Sequence, residues 1–383
     1  MEEGKTEVEA PKRGKGQKVA QSCKAGSFLR AARLLLACAL GVTALMAICA
    51  LIISRVVPEN LITLGIILIL AWTSVTIITT FRKNERARTA AVFSLTSVVL
   101  IAVQVLIFTF GSSTAGFLRQ IDTNAEMSAA TTPVDEVLAT PFVLYISGKD
   151  AGGALSDVNQ LAIVNPKLHR ILLINTPRDY YVNLAGKQGL PDKLTHAGTY
   201  GLDTSIETLE ILYAVDINYY VQINFESLVR LVDALGGIEV DSAYAFDEFR
   251  VGVNHLDGNQ ALRFSRNRYA FEGGDRTRGE NQQRVIAGII RKLSNPSTAI
   301  NYPSIIGAME GSFMTNFGSE NIVKFAKQQI RENPNWSVNS YAVDGISAMR
   351  KTYTYPNQFL YVMLPNQTTV DEAKRQIAGV IGN

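Results

Sequence analysis

The sequence predicts an α/β (α+β) protein: an N-terminal three-helix transmembrane region, then an extracellular domain with a central mixed sheet flanked by helices. Three observations carry this prediction. Three long uncharged runs lie near the N-terminus, strand-like and helix-like segments alternate after them, and arginines and aspartates cluster at the ends of those segments. A length of 383 residues allows one large domain or two small ones.

The hydrophobicity of the chain is concentrated near its N-terminus. Mean hydropathy is +0.10, and residues 34–53, 61–80 and 90–110 contain no charged side chain. Each run has about 20 residues, enough to cross about 30 Å of hydrocarbon at 1.5 Å per residue. Three such runs in succession disfavour core helices of a soluble protein, and the first is too long for a cleavable signal peptide. We therefore predict a basic cytoplasmic tail at 1–33 and three transmembrane helices within 34–110.

Basic residues around these runs set the predicted orientation. The segment 1–33 carries eight Lys and Arg, and the loop between the second and third runs carries four more. Because Lys and Arg favour the cytoplasmic side, three crossings place everything after Phe110 outside the cell. Membrane lipids are predicted partners of the spans. An outside location argues against nucleic acid as the partner of the later arginines.

Cysteine usage agrees with this arrangement. Cys23, Cys38 and Cys49 all precede the external part, which therefore has neither a disulfide framework nor a thiolate nucleophile. An external domain of this size without disulfides favours a bacterial surface, and we expect a Gram-positive bacterium.

The external part begins with a tether at 111–140, rich in small and polar residues and expected to be partly helical. A domain at 141–383 follows. Its strand-like segments are 141–150, 158–166, 170–179, 218–225 and 359–365. Its helix-like segments are 204–215, 226–237, 257–266, 279–293, 319–330 and 369–381. Asp257 is a predicted N-cap. The mixed order predicts a central sheet with helices on both faces.

An arginine-rich stretch carries the chemistry. Residues 263–284, "RFSRNRYAFEGGDRTRGENQQR", contain six arginines and no lysine, and Arg178 follows a strand end in "TPRDYY". A solvated charge run would not explain the uniform choice of arginine, whose planar guanidinium binds phosphate oxygens in pairs. The chain lacks G-x-S-x-G, Walker and H-E-x-x-H motifs. These patterns favour phosphate binding.

Two aspartates complete the pattern. Asp150 ends the first predicted strand and Asp157 precedes the second. Each alone would be an ordinary turn residue, but two strand ends at one crevice can bring both carboxylates to a divalent cation such as Mg²⁺.

The external part resembles the LytR-CpsA-Psr family from about Phe142 to Ile381. The motifs that carry the resemblance are "GKDAGGALSDVNQLAIVNP", "LLINTPRDYYV", "DKLTHAGTYG", "NYYVQINFESLVRLVDALGGIEV", "LDGNQALRFSRNRY" and "GGDRTRGENQQRVI". The predicted three-span N-terminus is similar to that of capsule-associated streptococcal members. The resemblance implies a phosphotransferase that moves a glycopolymer (capsular polysaccharide, teichoic acid or related) from a polyprenyl-pyrophosphate carrier to a peptidoglycan hydroxyl. It also implies Mg²⁺ or Mn²⁺ as cofactor.

Site residues follow from the same resemblance. The implied catalytic residues are Arg178, Arg266, Arg268, Arg278 and Asp157. The implied substrate-binding residues are Gln282, Asp179, Lys193, His196 and Arg276, the last on the rim. The implied metal ligands are Asp150 and Asp157. Asp157 is also a candidate to accept the proton of the attacking hydroxyl, and the sequence does not decide between these roles.

Departures from the family pattern leave alternatives open. Family members often carry arginine where this chain has Gly152 and Leu155. A binding or regulatory protein without turnover, and a hydrolase of polyprenyl pyrophosphate, therefore stay as alternatives. The lipid chain needs an apolar groove, which Ile and Leu residues of the sheet and of the 279–293 helix can supply, although the same residues also suit a plain core.

Overall fold

The computed structural model describes residues 35–49, 59–81, 87–125, 131–149, 155–267, 275–295, 298, 305 and 313–382. The chain divides into two compact units, Met1–Ser112 and Ser113–Asn383. The predicted cytoplasmic tail lies outside the described residues, as do Asp150, Gly152 and Arg268.

Three apolar helices dominate the first unit: α1 (Leu35–Cys49), α2 (Glu59–Phe81) and α3 (Ala87–Ala125), whose end passes into the second unit. Within the described ranges, one segment, Leu95–Ile121 of α3, is long and apolar enough to cross a membrane. Helix α1 and the Gly65–Val75 part of α2 are apolar but shorter. The three-span topology therefore stays a prediction.

Helices α1 and α3 contact each other through small and polar residues. Leu40, Ala44 and Ala47 are buried along one face of α1. The Thr43 hydroxyl donates a hydrogen bond of 2.5 Å to the buried Gln104 of α3. Small residues let helices approach closely, and a hydrogen bond between helices suits a setting that offers little water.

The second unit contains twelve strands in the residues that the structure describes, and seven helices. The strands are β1 (Phe142–Lys149), β2 (Ser156–Asn165), β3 (Arg170–Asn175), β4 (Tyr181–Val182), β5 (Asp192–Lys193), β6 (Tyr219–Asn224), β7 (Ile238–Ser242), β8 (Gly252–Leu256), β9 (Phe313–Thr315), β10 (Ser337–Ala342), β11 (Gly345–Arg350) and β12 (Leu360–Pro365). The helices are α4 (Leu194–Ala197), α5 (Leu202–Tyr213), α6 (Phe225–Ala234), α7 (Gly258–Arg266), α8 (Asp275–Leu293), α9 (Ser319–Glu332) and α10 (Gln367–Ile381).

Six strands form one mixed sheet in the order β10-β3-β2-β1-β6-β9. Strands β1, β2 and β3 pair antiparallel in sequence order, whereas β6 joins β1 and β10 joins β3 in parallel. The central strands are nearly continuous apolar runs because both faces of the sheet are covered. The predicted mixed sheet with flanking helices is therefore confirmed.

Helices cover both faces of this sheet. On one face, Tyr145, Leu161 and Ile174 pack with residues of α5 and α10. On the other face, Ala162 and Leu173 pack with the apolar side of α8. A separate cluster surrounds the fully buried Phe264 of α7. The sheet is thereby held as a rigid platform whose strand ends carry loops.

Element boundaries follow local signals. Asp257 is the N-cap of α7, as predicted. Its side chain accepts from the Gln260 amide at 2.8 Å, and the Gln260 side chain accepts in return from the Asp257 amide at 3.0 Å. This capping box satisfies two amide groups that the helix start leaves unpaired. Helix α8 begins at Asp275, four residues before the predicted start, so Arg276 and Arg278 lie in its first turn.

Candidate functional site

The candidate site lies where β3 ends beside the beginning of β2. The two strands are antiparallel and Gln160 lies opposite Asn175, so the Asp157 end of β2 meets the loop that follows β3. That loop carries Arg178 and Asp179. The end of β1 reaches the same edge, where Lys149 pairs with Ser156. One edge of the sheet thus gathers three chain segments with charged side chains.

A row of alternating charges runs along this edge. Arg178 Nη1 lies 2.7 Å from Asp157 Oδ1, and Arg178 Nε lies 3.6 Å from Asp179 Oδ2. Lys193 Nζ donates to Asp179 Oδ1 at 2.9 Å. All four side chains are at least three-quarters shielded from solvent. Ion pairs in this setting are geometrically fixed, so the guanidinium and the ammonium are held in place before any ligand arrives.

Helix α8 brings a second arginine to the same edge. Gly279 packs so tightly against β3 that a Cβ at this position would lie 2.1 Å from Asn175 Nδ2. This close approach places Arg278 and Gln282, each 8% exposed, beside Arg178. A small recess results, lined by Asp157, Asn175, Thr176, Pro177, Arg178, Arg278, Gly279 and Gln282. The first turn of α8 borders this recess, and the positive end of a helix dipole favours an anion there.

The other arginines of the 263–284 stretch have different surroundings. Arg266 is exposed at the end of α7 and lies over the Phe225 ring, 4.7 Å from its centroid. Arg276 pairs with Asp344 at 2.9 Å and with Glu280 at 3.3 Å, on the exposed side of α8. Arg263 pairs with Glu248 at 2.5 Å. Of the described arginines of this stretch, Arg278 alone lines the recess.

His196 belongs to a separate cluster, which surrounds the fully buried Asp192. His196 Nδ1 donates to Asp192 Oδ1 at 2.6 Å, and the Lys193 amide donates to the same oxygen at 2.7 Å. The Thr354 amide and hydroxyl donate to Oδ2. Burial by itself raises the pKa of the Asp192 carboxyl, but hydrogen bonds from His196 and Thr354 outweigh it and lower the pKa below its ordinary value. Asp192 is therefore an ionised, fully satisfied carboxylate.

The donor atoms near Asp157 fit a hard cation only in part. Among the described residues, no group of three His, Cys, Asp or Glu side chains could hold a metal ion. Asp157 Oδ1 is engaged by Arg178, while Oδ2 has no hydrogen bond or ion pair within the described ranges. A carboxylate oxygen of this kind suits Mg²⁺ or Mn²⁺. The second predicted ligand, Asp150, lies outside the described residues, so the ligand set stays a prediction.

An apolar cavity of about 280 Å³ lies on the sheet face that α8 covers. Side chains from five sheet strands, α6 and the later turns of α8 line it, among them Leu144, Ile146, Ala162, Ile286 and Ile289. The cavity and the recess thus share one face of the sheet and one helix, since residues 278–282 of α8 line the recess and residues 286–290 line the cavity.

Sequence reasoning overlooked four residues of the recess. Asn175 ends β3, Thr176 and Pro177 follow it, and Gly279 permits the contact between α8 and that strand. The one local signal was the placement of Asn175 and Thr176 just before Arg178 at a strand end. The role of Gly279 depends on a neighbour more than 100 residues away in the chain.

Together, these features define an α/β domain with a recess lined by two arginines beside an apolar cavity. The LytR_cpsA_psr family model matches residues 117–375, which is more than half of the chain, and the chain therefore belongs to the LytR-CpsA-Psr family.

Two transferases named TagU are similar to this chain. The polyisoprenyl-teichoic acid–peptidoglycan teichoic acid transferase TagU of Enterococcus faecalis is 36% identical over 197 residues, covering 49% of this chain and 65% of the relative. The transferase of the same name from Bacillus cereus is 29% identical over 246 residues, covering 62% of this chain and 81% of the relative. The chain thus spans less than two thirds of the Enterococcus protein.

A solved structure of TagT bound to LI-WTA has a TM-score of 0.54 and 25% identity to this chain. The match covers 67% of this chain and 97% of the TagT chain. The mixed sheet and its covering helices are therefore found in a protein that was solved with a ligand bound.

Proposed function

We propose that the protein is a glycopolymer–peptidoglycan phosphotransferase. It transfers a glycopolymer from a polyprenyl-pyrophosphate carrier to a peptidoglycan hydroxyl and forms a phosphodiester link. The observation that carries this proposal is the arginine-lined recess that shares one sheet face and one helix with an apolar cavity. A lipid pyrophosphate has the same two-part chemistry, an anionic head joined to an apolar chain. The names of the relatives favour teichoic acid as the polymer, with capsular polysaccharide as a further candidate.

Arg178 and Arg278 hold the pyrophosphate and stabilise the charge that develops in the transition state. The acceptor hydroxyl attacks the phosphorus that bears the glycan, the bond to the bridging oxygen breaks, and polyprenyl phosphate leaves. Phosphoryl transfer gains most from fixed positive charge around the reacting oxygens, and the early α8 turns supply further polar groups, including Gln282. Arg266 and Arg268 are proposed as further contacts at the outer side of the head group.

Asp157 is proposed to serve Mg²⁺ or Mn²⁺, together with Asp150, or to accept the proton of the attacking hydroxyl. A bound cation would neutralise phosphate oxygens. Lys193 and Asp179 extend the charged row away from the recess, and we assign them to the acceptor side. His196 is held by Asp192, which makes it part of the wall on that side.

The cavity under α8 is proposed to hold the first isoprene units of the carrier. Its lining is almost entirely apolar, and isoprene units offer only apolar surface in return. At about 280 Å³ it has room for the proximal part of such a chain but not for the whole lipid.

The proposed location is the cell membrane, with a cytoplasmic N-terminus, three spans and an extracellular catalytic domain. Helix α3 contains one segment of sufficient length and apolarity, and α1 and α2 supply two shorter ones. A reporter fused after residue 383 should be exposed outside the cell. A cytoplasmic reporter would contradict the topology and, with it, access to peptidoglycan.

The full chain in detergent micelles, given a short polyprenyl-pyrophosphate glycan, peptidoglycan fragments and Mg²⁺, tests the reaction. A glycan-phosphate-peptidoglycan adduct found by mass spectrometry, and lost with EDTA, supports transfer. Free glycan phosphate without the adduct would indicate a hydrolase. Tight binding of the lipid without turnover would indicate a binding protein.

A further inference from the structure

Gln160 is a buried amide that the fold leaves unpaired. It has 0% exposure, and neither Nε2 nor Oε1 has a hydrogen-bond partner among the described residues. Asn175 Nδ2, on a side chain 2% exposed, is in the same situation. Burying an amide without a partner is unfavourable, because its hydrogen bonds to water are lost and nothing replaces them. Such groups are rare in folded proteins and call for a specific explanation, such as a ligand.

The position of Gln160 in the sheet shows which ligand can reach it. Gln160 lies opposite Ile146 of β1 on one side and opposite Asn175 of β3 on the other. Residues directly opposite each other in a sheet have side chains on the same face. Ile146 lines the apolar cavity, and Asn175 lines the arginine recess. Gln160 therefore lies at the boundary between the two, and Ala162, two residues further on, already lines the cavity.

We propose that Gln160, with Asn175 beside it, binds the phosphate nearest the prenyl chain of a lipid-linked pyrophosphate. This inference rests on the proposed function. Suppose that the prenyl chain lies in the cavity and the glycan-bearing phosphate lies between Arg178 and Arg278. The lipid-proximal phosphate must then lie at the boundary that Gln160 occupies. Its oxygens accept hydrogen bonds from Gln160 Nε2 and Asn175 Nδ2. The same phosphate stays on the lipid when polyprenyl phosphate leaves.

An amide suits this boundary better than a charged group. A guanidinium against an apolar wall would lose its hydration whenever the site is empty, whereas a neutral amide loses much less. The amide also gains a hydrogen bond only when the lipid places a phosphate oxygen at the boundary between the cavity and the recess. Gln160 is therefore expected to discriminate a prenyl pyrophosphate from inorganic pyrophosphate, which the arginines alone can bind.

The test measures the affinity of the full chain in detergent micelles by calorimetric titration, with farnesyl pyrophosphate as the probe. The variant is Gln160→Met, which keeps the size and removes the amide. We expect its affinity for farnesyl pyrophosphate to fall at least about tenfold, with binding of inorganic pyrophosphate unchanged within about twofold. Its melting temperature should stay the same or rise, because an unpaired buried amide is gone.

Gln222→Met is the matched control. Gln222 is a buried amide of the same sheet, and its neighbours Val221 and Ile223 line the cavity, so its own side chain points to the opposite face. Its replacement should leave the farnesyl pyrophosphate affinity unchanged.

Three results would overturn the inference. Equal affinity of Gln160→Met and the unaltered protein removes the role of Gln160 and leaves the proposed function standing. An equal loss for farnesyl and inorganic pyrophosphate shows a general disturbance of the recess. No binding of farnesyl pyrophosphate by the unaltered protein overturns the inference and the proposed function together. If Gln160→Met does not fold, Gln160→Glu replaces it, and undiminished affinity of that anionic variant contradicts the inference.

Discussion

Two carboxylate clusters lie close together in the chain and differ in how their charge is balanced. Asp157 meets Arg178 at the edge of a recess, and one of its oxygens is left without a partner among the described residues. Asp192 is fully buried and accepts four hydrogen bonds from three residues of its own fold. The difference teaches that a saturated carboxylate holds structure, whereas one held at a recess beside arginine stays available to a ligand or a cation.

The segment "DKLTHAG" shows this division within a few residues. The Lys193 side chain pairs with Asp179 and so belongs to the charged row that includes Arg178, whereas His196 binds Asp192. Asp192 also binds Thr354, more than 150 residues later, and so fastens α4 to the loop between β11 and β12. Sequence spacing alone puts Lys193 and His196 in one group, and tertiary contacts separate them.

The largest effect is expected from Arg278→Ala in the recess. Removal of a preorganised charge at the reacting phosphate should lower transfer activity roughly 100-fold. The measurement is the rate of adduct formation by mass spectrometry. Arg263→Ala is the matched control, since Arg263 lies in the same stretch but pairs with the exposed Glu248, and it should change the rate less than about twofold. Equal losses in both variants would mean that the stretch acts as a general charged surface.

The next largest effect is expected at Asp192, the saturated carboxylate. Asp192→Asn replaces a carboxylate that accepts four hydrogen bonds by an amide. The NH2 group of this amide must then face some of the N–H and O–H groups that donated to the carboxylate. We expect the free energy of unfolding to fall by about 2–3 kcal/mol. Urea denaturation of the full chain in detergent, followed by the unfolding of the second unit (Ser113–Asn383), measures it. Asp157→Asn, at the partly exposed recess, should cost clearly less stability while lowering activity. A reversed order of stability losses would contradict the division into structural and functional carboxylates.

A smaller effect concerns the contact that builds the recess. Gly279→Ala places a Cβ 2.1 Å from Asn175 Nδ2, so the Asn175 side chain or α8 must shift. We expect a loss of about 1–3 kcal/mol in stability and a fall in transfer activity.

Gly379→Ala in α10 is the control for Gly279→Ala, because a Cβ there meets nothing within 4 Å. Alanine favours a helix over glycine, so this variant should be slightly stabilised and fully active. Full activity of Gly279→Ala would mean that the recess tolerates displacement of Arg278.

The sequence predicts the strands of the sheet well where burial on both faces makes their apolar runs continuous. The runs in β1, β2 and β3 are apolar over most of their length because helices cover both faces, and such runs are visible without a structure. Strands β7, β8 and β11 were overlooked, whereas the predicted strand at 359–365 corresponds to β12. In β7, buried Ile238 and Val240 alternate with exposed Glu239 and Asp241. This alternation is typical of a strand, but it follows directly on the Gly-Gly that ends the preceding helix and was overlooked. In β11 most residues are exposed, and no pattern marks the strand.

The site is predictable only as far as strand ends and residue types allow. Arg178 follows a strand end, which sequence periodicity locates. Convergence of Arg278 with Arg178 depends on Gly279 meeting Asn175, a contact between segments about 100 residues apart. The unpaired state of Gln160 depends on everything around it in space. Properties of this kind arise from tertiary packing, and no local pattern encodes them.

The smallest expected effect is a pH dependence of stability that Asp192 contributes. Its pKa is lowered in the folded protein, mainly because hydrogen bonds from His196 and Thr354 outweigh the effect of burial. The unfolded chain, with the ordinary pKa of 3.8, therefore binds a proton more readily than the folded protein, and stability rises with pH through this range. The contribution is fully present above the ordinary pKa and is lost as pH falls below 3.8 through the lowered folded value. Urea midpoints between about pH 6 and pH 2.5 should fall more steeply for the unaltered protein than for Asp192→Asn. Parallel curves would show that the Asp192 cluster does not carry this dependence, and that other carboxylates dominate acid unfolding.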